Sequence, residues 1–155
     1  MPASYGILPA DQGGGLLPWS WARERLERSR NYWITTVRVD GRPHSVPVWG
    51  TWLDNRFYFS TDRATQKAIN LAHNPRCVIC PENLAEAISV EGTAREVTEV
   101  ATIRRHLAAY DPKYHWKSKE TDGPFFEVTP SRVLAFIEGQ GNEVFVGRAT
   151  RWVFR

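Results

Sequence analysis

Residues 32–60 read YWITTVRVDGRPHSVPVWGTWLDNRFYFS, and their pattern decides the fold class. Tyr32–Val39 is rich in β-branched and aromatic residues, which suit a pleated, half-buried surface. Asp40-Gly41 follows, a pair that tolerates the positive φ of a tight hairpin turn. Ser45–Leu53 then alternates, with Val46, Val48, Gly50 and Trp52 on one face and Pro47, Trp49, Thr51 and Leu53 on the other. Asp54-Asn55 is a second turn signal, and Phe57 and Phe59 share a face of Arg56–Ser60. The spacing predicts three consecutive antiparallel strands, a meander.

On the N-terminal side, Pro18–Arg30 has helical spacing. Trp19, Ala22 and Leu26 lie on one face, and Arg23, Glu24, Arg25, Glu27 and Arg28 lie on the other. Residues 1–17 carry Pro2, Gly6, Pro9 and Gly13-Gly14-Gly15 and show little periodicity. They read as a flexible arm, with 18–155 as one domain. On the C-terminal side, Ala64–His73 reads as a short helix, with Asp62 as N-cap and Asn74-Pro75 as the stop. Arg76–Cys80 is a short strand, and Ala87–Val97 a longer one that Gly92 interrupts, as a bulge or a close backbone approach requires. Glu99–Tyr110 is amphipathic, with Val100, Ile103, Leu107 and Tyr110 inward. A hydrophilic loop, Asp111–Pro124, leads to strands at Phe125–Ile137 and Glu143–Phe154. Hairpin-linked strands with short helices between them predict a mainly-β (α+β) fold, a closed or nearly closed antiparallel barrel with helices at its ends.

The chain has 155 residues, enough for one domain that folds without disulfides. No apolar run approaches the ~20 residues that span a bilayer, and no basic-then-apolar leader opens the sequence. These features point to a soluble, cytoplasmic protein with no membrane partner. Seven Trp, seven Phe and five Tyr are many for this length and suggest a ligand cleft or a subunit interface. A net charge of +3 suits an anionic small molecule better than nucleic acid.

Cys77-Val78-Ile79-Cys80 has CxxC spacing, but within a strand its two thiols point to opposite faces, so core thiols are expected rather than redox chemistry. His44, His73, His106 and His115 lack metal-ligand spacing, so no metal is expected. Gly139-Gln140-Gly141 lacks the strand–turn–helix setting of a dinucleotide fingerprint and reads as a hairpin loop. The informative segment is Phe57–Lys67. A strand ends in Ser60 and Thr61, and a helix follows with Arg63, Gln66 and Lys67 near its start. Hydroxyls, free backbone N–H groups and basic side chains together can cradle a phosphate, although Asp62 would repel one.

The run Val39-Asp40-Gly41-Arg42-Pro43-His44, then Val46-Pro47-Val48-Trp49, Tyr58-Phe59-Ser60-Thr61 and Gln66–Arg76, resembles the pyridoxamine-phosphate-oxidase-like split-barrel superfamily. Within it, the chain is similar to the flavin/deazaflavin-dependent oxidoreductases, and Val90-Glu91-Gly92-Thr93-Ala94 and Thr150–Phe154 fit later strands. The resemblance implies an antiparallel split barrel that forms a homodimer, with FMN or the deazaflavin coenzyme F-420 in the cleft between subunits. It implies hydride transfer to or from a small organic substrate. Val46, Pro47, Val48 and Trp49 would lie along the ring system, and Ser60, Thr61 and Lys67 would meet the phosphate. The family's Ser-Arg-Lys element reads Thr65-Gln66-Lys67 here, so Arg63 would have to replace the missing arginine. Trp152, with Arg151 beside it, would cover the ring from the partner subunit.

Three other readings are weighed. Pyridoxamine 5'-phosphate oxidase activity usually needs a late Arg-x-His, and this chain has Arg151-Trp152-Val153. A non-catalytic flavin-binding or storage protein would share every cofactor residue. The loop lysines Lys113, Lys117 and Lys119, set among Tyr114, His115 and Trp116, could bind nucleic acid or clamp the anionic tail of the deazaflavin.

Overall fold

The computed structural model describes residues 15–138 and 149–155. Helix α1 (Trp19–Arg28) precedes strands β1 (Tyr32–Val37), β2 (Pro43–Val48), β3 (Thr51–Leu53) and β4 (Arg56–Ser60). Helix α2 (Gln66–His73), β5 (Arg76–Pro81), β6 (Glu86–Val97), α3 (Val100–Tyr114), β7 (Phe125–Ile137) and β8 (Thr150–Val153) follow. All pairings are antiparallel, in the order β2-β1-β5-β6-β7-β4-β3, with β8 added to β7. This is the curled antiparallel sheet of a split barrel with three short helices, as expected.

The meander, however, is not formed. Both hairpins are present, β1 with β2 and β3 with β4, yet β2 and β3 do not pair and stand at opposite ends of the strand order. The single strand expected over Ser45–Leu53 breaks at Trp49-Gly50. The tertiary structure takes the ladder groups there. The Tyr114 hydroxyl accepts from the Gly50 N–H at 3.0 Å, and the Gly50 carbonyl accepts from Lys113 Nζ at 3.0 Å. Two residues thus carry the chain from one end of the curled sheet to the other.

Inside the curl lie Tyr32, Ile34, Phe57, Phe59, Ile79, Val90, Val128 and Val133, all fully buried. Area removed from water at roughly 25 cal/mol per Å² makes this aliphatic and aromatic filling the main source of stability. Helix α1 adds Ala22 and Leu26 to it, and Trp19 meets Trp52, Trp152 and Phe154 edge-on or tilted. Leu17 is buried as well, and its N–H donates to Thr150 Oγ1 at 2.9 Å. Residues 1–14 of the expected arm, the Gly139–Gly141 loop and the 143–148 part of the last strand lie outside the described residues.

Gly92 does both things anticipated for it. The β6–β7 register shifts between Glu91 and Gly92, and a Cβ on Gly92 would stand 2.6 Å from the Thr129 carbonyl oxygen. Asp54 and Asn55 take positive φ, as the turn requires. Helix α3 runs past its expected end at Tyr110, through Pro112, to a left-handed His115. Proline normally stops a helix, but here the extra turn carries Lys113 and Tyr114 onto Gly50. Val100, placed inward from periodicity, is 47% exposed, and the buried face is formed by Ile103, His106 and Tyr114. Cys77 and Cys80 are free thiols on opposite faces of β5, and burial pushes the Cys77 thiol up to about 12. A thiol of that pKa is a poor nucleophile. Among the described residues no helix is long and apolar enough to cross a membrane.

Candidate cofactor-binding site

Strand β2 ends the strand order, with β1 as its one ladder neighbour among the described residues. Its residues alternate as expected: Val46 and Val48 turn toward the core, and Pro47 is exposed. An edge strand of this kind leaves backbone N–H and C=O groups free to meet a ligand. At its end, Trp49 is 41% exposed and stacks on Tyr114, with centroids 4.7 Å apart and planes at 13°. Its Nε1 donates to Asn31 Oδ1 at 3.2 Å, and the Arg30 guanidinium stands 5.8 Å from the ring centroid. Trp49 is therefore a fixed, flat, half-open surface.

Helix α2 packs on β1, which brings its first turn beside β2. A buried polar line holds the two together. Gln66 Nε2 donates to Asn70 Oδ1 at 2.8 Å, and Asn70 Nδ2 donates to Thr36 Oγ1 at 2.9 Å. The Thr36 hydroxyl in turn reaches the His44 carbonyl on β2 at 3.5 Å. Buried polar groups that satisfy one another in this way fix a geometry tightly. The expected capping by Asp62 is corrected: Thr65 is the N-cap, its hydroxyl accepting from the Ala68 N–H, while Asp62 Oδ1 accepts from the Ala64 N–H in the preceding turn. The Asp62 carboxylate is thus tied into its own turn and leaves the helix start.

Ser60 and Thr61, half-buried, end β4 next to this turn, and the Thr61 hydroxyl shares a 3.0 Å hydrogen bond with that of Thr65. Lys67 is half-buried, has no anionic partner among the described residues, and is held below the ordinary lysine value by burial. Arg63 is placed elsewhere: its guanidinium pairs with Glu96 of β6, 3.1 Å from Oε2. That ion pair occupies the arginine expected to replace the missing one. Arg151 is exposed on β8, and Trp152 packs 5.4 Å from Trp19 in its own chain. Val46, Pro47, Val48 and Trp49 thus lie along β2, Gln66 is tied to β2 through Asn70 and Thr36, and Thr61 meets Thr65 at the start of α2, beside Lys67. None of the hydrogen bonds or ring contacts of Arg63, Arg151 and Trp152 leads there.

The loop lysines divide. Lys113 belongs to α3 and turns inward, donating to the Tyr32 hydroxyl at 2.9 Å, and burial beside Arg30 lowers it to about 8. It is not free to grip a cofactor tail. Lys117 and Lys119 remain exposed.

The sequence matches the family model for pyridoxamine 5'-phosphate oxidase over residues 21–136, most of the chain. The chain belongs to this family. Solved structures support the same fold. An F-420 reductase is 23% identical, covering 72% of this chain and 94% of its own, with a TM-score of 0.59. An FAD-binding protein from Mesorhizobium loti is 18% identical, covering 76% and 92%, with a TM-score of 0.60. A conserved hypothetical protein from Mycobacterium tuberculosis is 21% identical, covering 76% and 82%, with a TM-score of 0.65. At these identities the likeness is one of fold. No curated protein matches the chain. Within this pyridoxamine 5'-phosphate oxidase family member, the free edge of β2 runs from the flat surface of Trp49 at one end to α2 at the other, where Lys67 has no anionic partner among the described residues.

Sequence reading missed several groups at and near the corner. His44 and Asn70 fall inside the runs that carry the family resemblance, but neither is given a role there. Asn70 did leave a signal: it is the polar residue between Ala68 and Leu71 on the inward face of α2, and all three are buried.

Proposed function

We propose that this protein is a flavin- or deazaflavin-dependent oxidoreductase that acts on a small organic substrate and works as a homodimer with its cofactor at the β2–α2 corner. The observation that carries this reading is Lys67, a half-buried cation with no anionic partner among the described residues, on the helix tied to the edge strand β2, in a member of this family. A cation left in that position favours a phosphate-bearing ligand, since pairing recovers what desolvation costs it.

When bound, the flavin or deazaflavin supplies the hydride chemistry. The chain's own residues bind and orient. The free edge of β2 offers backbone groups to a polar ring edge, Val46 and Val48 supply an apolar wall, and Trp49 supplies a planar one. Lys67, Ser60 and Thr61 stand where a phosphate would anchor the other end. Trp33 on β1, Val39 in the β1–β2 turn and Trp49 just after β2 are exposed at 47%, 68% and 41%. An apolar face of this kind is suited to a second copy of the chain.

The test is titration of the purified protein with FMN and with the deazaflavin, read by absorbance and fluorescence. One of them should bind, and the protein should sediment as a dimer. Lys67→Ala should weaken binding roughly ten- to a hundred-fold, the worth of about 1.5–3 kcal/mol for a hydrogen bond to a charged group. Its unfolding midpoint should hold, because alanine suits a helix. Wild-type protein that binds neither cofactor, or a Lys67→Ala variant with unchanged affinity, would overturn the assignment.

A further inference from the structure

His106, Tyr110 and Tyr114 recur every four residues along α3, and side chains so spaced share one face of a helix. Their rings form a row. Tyr114 and Tyr110 have centroids 4.6 Å apart, and Tyr110 and His106 5.3 Å apart. Other elements continue the row at both ends. Tyr114 stacks on Trp49 at 4.7 Å, with planes at 13°, and His106 stacks on Tyr58 of β4 at 5.9 Å, with planes at 29°. Five rings thus lead from the half-open Trp49 to Tyr58, which is buried, along about 12 Å of helix.

The two ends differ in what they can do with a proton. Removing an electron from an indole or a phenol makes it strongly acidic, so the electron vacancy settles on the ring whose proton has a base to go to. Trp49 Nε1 donates to the amide oxygen of Asn31 at 3.2 Å, and the Tyr114 hydroxyl donates to the carbonyls of Arg30 at 2.5 Å and Gly50 at 2.9 Å. Amide oxygens are not bases at neutral pH. The Arg30 guanidinium, 5.8 Å from the Trp49 centroid and 5.4 Å from that of Tyr114, and Lys113 Nζ, 5.4 Å from Tyr114, further disfavour a positive ring there. Tyr58 is placed otherwise. Its hydroxyl donates to Glu127 Oε2 at 2.8 Å, with an Arg105 nitrogen 3.5 Å from the phenol oxygen. Desolvation opposes ionisation of that carboxylate, but Tyr58, Arg95 and Arg56 hold it below its ordinary 4.5, so it is a base at neutral pH.

We propose that Trp49, Tyr114, Tyr110 and Tyr58 form an electron relay that moves an oxidising equivalent from the Trp49 surface to Tyr58. A one-electron oxidant that meets Trp49 gains an electron. Tyr114, Tyr110 and Tyr58 refill the vacancy in turn, with His106 bridging the last step, and the Tyr58 phenol proton passes to Glu127. The products are the reduced oxidant, a neutral tyrosyl radical and a protonated Glu127, so atoms and charge balance. An electron returned along the same rings restores the phenol and the carboxylate. The relay goes beyond the cofactor reading and does not depend on it, because any one-electron oxidant at Trp49 starts it.

The test uses full-length protein and a ruthenium(III) tris-bipyridine complex generated by a light flash. Trp33 and Trp116, which are also exposed, and Tyr5, which lies outside the described residues, are replaced by phenylalanine in every sample. Transient absorption follows the tryptophanyl and tyrosyl radicals, and electron paramagnetic resonance of freeze-trapped samples identifies the final one. The tryptophanyl signal should decay as the tyrosyl signal grows, at a rate independent of protein concentration. Trp49→Phe should lose that growth, and Tyr58→Phe should lose the final resonance. Tyr110→Phe is the cleanest variant, because the Tyr110 hydroxyl has no hydrogen-bond partner among the described residues. It should keep the parent's urea midpoint and lose the tyrosyl growth. Absence of tyrosyl growth in the parent, or growth at the parent's rate in Tyr110→Phe, would overturn the relay and leave the five rings as packing. Since the oxidant is not a flavin, neither result bears on the cofactor reading, which stands or falls on the binding titrations.

Discussion

Gly50→Ala should destabilise the fold by about 3 kcal/mol or more, the upper part of the range for overpacking a filled interior. A Cβ at that position would stand 2.6 Å from Cε2 of the Phe57 ring and 2.6 Å from the Tyr58 carbonyl oxygen. Neither neighbour can yield cheaply, because Phe57 is fully buried in the core and the Tyr58 carbonyl is backbone in the middle of β4. Any shift of the residue itself would also stretch the bonds from Tyr114 and Lys113 that hold the corner. Gly41→Ala is the contrast. Its φ of +85° disfavours a side chain, yet a Cβ there would meet nothing within 4 Å, so the cost should be about 1 kcal/mol. Urea unfolding of both variants measures the difference. A Gly50→Ala protein within about 1 kcal/mol of wild type would mean that the corner is not packed as described.

The same corner shows how far the sequence could be read. Strand identities from Tyr32 to Ser60 followed from period-two alternation and turn residues, since both are local. That β2 and β3 part company at Trp49-Gly50 is not local. It depends on Lys113 and Tyr114, more than sixty residues on, taking the Gly50 backbone groups. The extra turn of α3 was hidden by Pro112 for the same reason, a local stop signal outweighed by tertiary bonds.

The candidate site was legible where its residues share one strand or one helix start, as with Val46–Trp49 and Gln66-Lys67. Asn70 joins it through its bonds to Gln66 and Thr36, and no spacing rule reports those. Arg63 shows the converse. It sits in sequence beside the Ser60 and Thr61 hydroxyls proposed for the phosphate, but the 3.1 Å contact with Glu96 draws it to β6. Proximity along the chain fixed its neighbourhood and left its partner open.

Acid lability should provide the second large effect, and His106 is its source. This histidine is 2% exposed on the inner face of α3. Its Nδ1 shares a 2.8 Å hydrogen bond with the Thr51 hydroxyl, while Nε2 is buried with no partner. Tyr58, Tyr110 and Phe125 surround the ring, and Lys113 adds a repulsive charge that Asp111 offsets. Burial dominates and lowers the imidazole from 6.5 to about 4. The unfolded chain therefore binds a proton at pH values where the native protein does not. His106 has no effect above pH 6.5, and its neutral burial becomes progressively destabilising as pH falls toward 4. The integrated loss is about 3 kcal/mol, from roughly 1.4 kcal/mol per pKa unit. Glu127 acts in a lower window. Tyr58, Arg95 and Arg56 outweigh the desolvation of its carboxylate and hold its value down, so its contribution is lost only as pH falls below its ordinary 4.5. Urea unfolding at intervals from pH 7.5 to 4 should show stability declining below pH 6.5 in wild type. In His106→Asn, which keeps a partner for Thr51, stability should start lower and stay nearly flat down to about pH 4.5. Parallel declines in the two proteins would show that His106 titrates freely in the native state, and that its Nε2 is not sealed beneath α3.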